Sequence, residues 1–154
     1  MLLLLALGII EIGRYLSYSV VIGNAARAGA QTAAISYAEA QATPDPTQTN
    51  STVVTSRAAQ QACNDAWHDL SVGNSGFACT SSLPAPKNAL AVTTQLNCYK
   101  SDGSSVLCSK TPVPVGRTMF LTVTATGTFT SLIKYPLVPN NVPVTSHSTM
   151  QVGQ

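Results

Sequence analysis

The residues able to do chemistry are few in this chain, and their spacing is revealing. Four cysteines, Cys63, Cys79, Cys98 and Cys108, fall within one short stretch. An even count so closely grouped predicts two disulfides and an oxidising compartment. Structural zinc sites use close C-x₂₋₄-C pairs, and no pair here has that spacing. The histidines, His68 and His147, stand apart from any acid or nucleophile at a useful interval. Asp102 lies in Ser101-Asp102-Gly103-Ser104, where turn formation accounts for it. There is no glycine-rich phosphate loop and no H-E-x-x-H pair. Asn50-Ser51-Thr52 matches an N-glycosylation acceptor. Tyr15, Tyr18 and Tyr37 read as packing residues whose hydroxyls need partners. The expectation is a protein with no catalytic residue, no cofactor and no metal.

One polar pair remains. Glu11 and Arg14 follow directly on MLLLLALGII. Three residues apart, they neighbour each other on one face of a helix. A lone charge in an apolar setting is costly, so the pair reads as a helix-core ion pair that sets register.

Composition narrows the function classes. Only 9% of the 154 residues are Asp, Glu, Lys or Arg, against about 25% in an ordinary soluble domain. Eight basic residues against six acidic ones leave no basic patch of the kind nucleic acid requires. Ser, Thr, Asn and Gln supply the polarity, as in many extracellular β proteins.

The opening run lacks the basic n-region and prompt cleavage site of a signal peptide. Residues 1–10 alone are shorter than the ~20 apolar residues that cross a bilayer. The run therefore reads as the remainder of a longer hydrophobic element. From Leu2 to Ala42 there is no proline, and alanine is dense. Thr43-Pro44-Asp45-Pro46 ends the pattern. The expectation is one helix over residues 2–42, about 60 Å long. Glu11, Arg14, Tyr15 and Tyr18 share one side, and Asn24, Arg27 and Gln31 roughly the opposite one. The rest of the first half is apolar all round, which suits lipid or other helices. Gly8, Gly13, Gly23 and Gly29, with Ala26 and Ala30, are small residues of the kind that let helices approach closely.

Residues 43–51 read as a polar linker and 52–154 as a head. A second helix is expected from Thr52 to Leu70, capped by Ser51 or Thr52. Its apolar positions Val54, Ala58, Ala59, Ala62, Cys63, Ala66, Trp67 and Leu70 would lie on a sheet. ALAVTTQLNC alternates, with Leu90, Val92, Thr94, Leu96 and Cys98 on one face, and SVLCSK would return beside it. That hairpin sets Cys98 facing Cys108 and leaves Cys63 to pair with Cys79. The other two connectivities stay open at this point. TMFLTVTATGTFT is a half-buried strand with a threonine face, and PVTSHSTMQV is the last strand. The fold class is α+β: a long N-terminal helix, then one helix packed on a small antiparallel sheet.

Gly8-Ile9-Ile10-Glu11-Ile12-Gly13-Arg14 and Asn24-Ala25-Ala26-Arg27-Ala28-Gly29-Ala30 resemble the two N-terminal segments of the TadE-like family of pilin-like proteins from tight-adherence pilus systems. Gln31 stands where that family often has arginine. Together with the ending near TSHSTMQV, which is similar in style to the family's C-terminal part, the resemblance covers about a third of the chain. It implies a precursor inserted in the inner membrane, a prepilin-type peptidase and assembly machinery as partners, and an extracellular filament of identical subunits. On this basis the chain is expected to be a structural filament subunit. Two alternatives differ from it: a low-copy pseudopilin that initiates or tips such a pilus, and a membrane-tethered adhesin using its threonine face. The first would differ in copy number within filaments. The second would keep binding after removal of residues 1–42.

Overall fold

A computed structural model of the chain describes residues 2–42, 50–70, 78–81, 89–100, 102–106, 118–132 and 140–153. Helix α1 runs Leu2–Ala42, as the alanine-rich, proline-free sequence requires. Helix α2 runs Asn50–Leu70. Ser51 and Thr52 therefore lie in its first turn and are not its cap.

The strands are β1 (Ala78–Thr80), β2 (Ala89–Tyr99), β3 (Ser105–Val106), β4 (Thr118–Thr130) and β5 (Asn141–Gly153). They form one sheet in the order β1-β2-β4-β5, with β3 also on β2. The long β2, β4 and β5 are mutually antiparallel. The expected all-antiparallel sheet needs correction, because β1 pairs parallel with β2, Ala78 opposite Ala89. A three-residue strand has no periodicity to announce it.

The β2–β3 hairpin turns at Lys100–Gly103, where the Gly103 amide donates to the Lys100 carbonyl at 2.9 Å. Gly103 has φ 81°, a conformation that disfavours a side chain. The Asp102 carboxylate accepts from the Ser104 hydroxyl at 2.6 Å and its amide at 2.8 Å. Those two bonds hold the carboxyl below its usual range. The register sets Val106, not Cys108, directly opposite Cys98. Cys98 is buried and disulfide-bonded; its expected partner Cys108 lies outside the described residues. The described disulfide joins Cys63 to Cys79, with 6.0 Å between Cα atoms. It ties α2 to the β1 edge. A bridge closing this interval contributes about 3 kcal/mol.

Both helices cover one face of the sheet, so the head has two helices over five described strands, where one helix was expected. The shared core contains Ile22, Ala25, Ala26, Ala30, Ala33 and Tyr37 of α1 with Val54, Ala58, Ala62 and Ala66 of α2. Leu90, Val92, Leu121, Val123 and Ala125 complete it from the sheet. The α2 contribution recurs every four residues, which places it along one side of the helix. Trp67 falls off that line and is 47% exposed, correcting the expectation that it lies on the sheet. The opposite sheet face carries the threonines. Thr122 and Thr126 bond across to Thr149 and Thr145 at 2.8 and 3.1 Å.

Candidate functional site

α1 divides at Ile22. C-terminal to it, Ile22, Ala25, Ala26, Gly29, Ala30, Ala33 and Tyr37 are buried, an i, i+3, i+4, i+7 stripe. Asn24, Arg27 and Gln31 on the other side are exposed. Small residues there let α2 come close. A Cβ on Gly29 would lie 2.7 Å from the Ala58 carbonyl oxygen, 3.0 Å from the Ala62 Cβ and 3.1 Å from a Val123 methyl. Gly23 has only ordinary contact, 3.7 Å to the Ser146 hydroxyl.

N-terminal to Ile22 the pattern reverses. Leu2, Leu3, Leu5, Ile9, Ile10, Ile12, Leu16 and Val20 are between 56% and 87% exposed. A Cβ on Gly8 or Gly13 would meet nothing within 4 Å. The helix is long and apolar enough over Leu5–Tyr37 to cross a membrane, by length and composition. Its C-terminal part is already occupied by the head. The free apolar surface is therefore the stretch up to Val20. A contiguous apolar face of this size marks a contact with another chain or with lipid.

Glu11 and Arg14 lie within that stretch, on the side of the helix that faces the head. They pair at 3.0 Å, with side chains 14% and 39% exposed. The pair also reaches the head. The Leu132 amide donates to the second Glu11 oxygen at 2.8 Å across 121 residues. The Ser131 hydroxyl donates to the same carboxylate. Arg14 lies over the Phe129 ring, 5.4 Å from its centroid, a favourable cation–π placement. Tyr15 and Tyr18 meet Phe129 edge-on at 5.5 and 5.8 Å. Tyr18 is also hydrogen-bonded to the Thr128 backbone, and its ring fills the space that a Cβ on Gly127 would need. Together these contacts clasp the end of β4 to α1. No local signal names Phe129, Ser131 or Leu132 as partners of Glu11 and Arg14, since the contacts are made only when the chain folds back. The alternation of TMFLTVTATGTFT places Phe129 on the face opposite the threonines and gives no more than that.

The remaining polar residues are dispersed. His68 is exposed on α2, and His147 is exposed on the far side of the sheet, opposite Thr124. Among the described residues no three His, Cys, Asp or Glu gather as a metal site. An open groove of about 290 Å³ between the helices is lined by Thr32, Ser36, Glu39, Arg57, Gln60 and Asn64, among others. An Arg57–Glu39 pair of 3.1 Å lies in that lining.

No curated protein and no solved structure matches the chain. The family model of TadE-like proteins matches residues 1–31. That match spans the bare half of α1, the Glu11–Arg14 pair and the first buried residues through Ala30. Over residues 1–31, the N-terminal three-quarters of α1, the chain is thus similar to TadE-like proteins.

Proposed function

We propose that the chain is a structural pilin-like subunit that polymerises into an extracellular filament through α1. Lipid covers the helix before assembly, and neighbouring copies replace it afterwards. The observation that carries this reading is the bare half of α1, with leucines and isoleucines exposed around a folded head. Water is a poor environment for that surface, so a lasting partner is required. Gly8 and Gly13 leave room for a second helix to approach closely. The TadE-like match over residues 1–31 supports the same reading. Identical subunits, a processing peptidase and an inner-membrane assembly apparatus are the partners it entails.

Removing detergent from the purified full chain is expected to yield fibres by electron microscopy. Leu16→Asp, at an exposed position, should abolish them while leaving the head folded by near-UV circular dichroism. A monodisperse monomer by light scattering, with no fibres, would defeat the proposal.

A further inference from the structure

The outer face of the sheet, turned away from both helices, holds an aromatic ring that its threonine pattern does not explain. Along β4 the outward line reads Thr118, Phe120, Thr122, Thr124 and on to Thr130. Phe120 thus stands among hydroxyls, on the side with no core to fill, and is half-buried. Tyr99 of β2, one row away, meets it edge-on, with ring centroids 5.7 Å apart and planes at 76°. Directly opposite Phe120 stand Asn97 of β2 and Gln151 of β5. An amide therefore lies on either side of the ring, at the cross-strand spacing of about 5 Å. Gln95, in the next row opposite Thr122, is exposed, as is Gln151. The β4–β5 ladder is also interrupted here, its register shifting between Met119 and Phe120. Such a bulge re-aims the side chains next to it.

Charge narrows what this surface can hold. Strands β2, β4 and β5 contain no Asp, Glu, Lys or Arg. An ionic partner would find no counter-charge on them. A wholly apolar partner would strip water from the hydroxyls and amides and give no bonds in return. A sugar ring offers the missing combination. One of its faces is made of C–H groups, which pack on an aromatic ring, and its rim of hydroxyls both donates and accepts. Asparagine and glutamine amides likewise carry donors and an acceptor. They flank Phe120 where such a rim would fall.

We propose that this platform binds an uncharged glycan. One pyranose ring stacks on Phe120, and its hydroxyls bond to Asn97, Gln151 and Gln95. Tyr99 braces the Phe120 ring from the side. A flat, open platform with a single stacking ring makes a weak site, with a Kd on the order of 1 mM. On the proposed filament the platform would recur in every subunit, and simultaneous engagement would raise avidity by ~10²–10⁴. Only that gain rests on polymerisation; the site itself belongs to the single head.

The test uses the full chain in dodecylphosphocholine, a detergent without a sugar headgroup. It is titrated with cellotetraose, mannotetraose and N-acetylated chitotetraose and followed by NMR. At least one of these should bind in the millimolar range, and a sulfated heparin tetrasaccharide about tenfold more weakly. Phe120→Ala should weaken binding about tenfold or more, and Phe120→Trp should retain it. Gln151→Ala, at an exposed position, should weaken it roughly threefold and reports on the site even if Phe120→Ala loosens the sheet. Thr126→Val, on the same face but outside the platform, should leave it unchanged. No binding of any of the three neutral sugars overturns the proposal and leaves polymerisation through α1 standing. Equal affinity for the sulfated sugar overturns the uncharged ligand. Equal losses with Thr126→Val and Phe120→Ala overturn the platform. Phe120→Ala that stops fibre formation but keeps the sugar affinity would assign the platform to a second copy of the chain. Leu16→Asp should abolish fibres and keep the affinity of the unaltered chain; a loss of affinity there would overturn the site as a property of the single head.

Discussion

From Leu2 to Val20, α1 turns leucines and isoleucines outward; from Ile22 to Tyr37 it buries mostly alanines and a glycine, with the large Ile22 and Tyr37 at the two ends. The two halves belong to one unbroken helix, and both are apolar. Their difference is in size. Large aliphatic side chains offer much area to a partner that arrives later. Small ones let α2 and the sheet close on the backbone at once, as the Gly29–Ala58 approach shows. The lesson is that apolar character alone does not say which half belongs to the head. Side-chain volume along the stripe does, since close packing tolerates little error in volume.

That contrast can be broken deliberately. The largest effect is expected from truncating the core beneath the buried half. Leu121, fully buried, should cost about 2–5 kcal/mol on Leu121→Ala, read from denaturant unfolding. Leu16→Ala in the bare half should change head stability by less than ~0.5 kcal/mol and weaken fibre formation. Equal destabilisation by both would mean that the halves are not energetically distinct. A smaller contrast separates two glycines. Gly29→Ala must displace a carbonyl oxygen and should destabilise by about 1–3 kcal/mol. Gly13→Ala meets nothing within 4 Å and should stabilise the helix by roughly 0.5–1 kcal/mol. Like signs at the two sites, measured by thermal unfolding in the same detergent, would contradict the division at Ile22.

The smallest effect belongs to the border. Tyr18→Phe keeps the ring that meets Phe129 and removes the hydroxyl bonded to the Thr128 backbone. A loss of about 1 kcal/mol is expected. Amide exchange should quicken at the end of β4 and leave Leu121 to Ala125 unaffected. Exchange that quickens equally throughout β4 would place Tyr18 in the main core and not at its border.

Much of the framework was legible along the chain. The absence of proline from Leu2 to Ala42 gives α1 its length, because nothing interrupts its hydrogen bonds. Strict alternation over Thr118–Thr130 gives β4, with threonine and aliphatic residues on opposite faces. The Ser-Asp-Gly-Ser turn between β2 and β3 follows from a glycine able to take positive φ. The parallel edge strand was not legible, since Ala78–Thr80 is too short for any period. The exposure of Trp67 was missed because the apolar positions of α2 span a wider arc than the Val54–Ala58–Ala62–Ala66 line that is buried. The second buried helix was within reach. The Ala and Gly residues from Ala25 to Ala33 recur with helical period opposite Asn24, Arg27 and Gln31, and only their small size disguised them as general helix formers.

Residue order by itself determined a long apolar helix, an alternating sheet with a hydroxyl face, and a Glu–Arg pair one turn apart. Each depends on neighbours within a few positions, where backbone geometry alone sets which side chains share a face. Tertiary structure decided where α1 stops being free. The Glu11 carboxylate meets the Leu132 amide, and Arg14 meets Phe129, only because β4 runs back along α1. From Glu11 to Gly29 the helix rises about 27 Å, and from Leu132 back to Val123 the strand covers about 30 Å. Near-equal lengths let one helix and one strand make contact at both ends. That match is a property of two elements packed together, and neither sequence segment contains it alone.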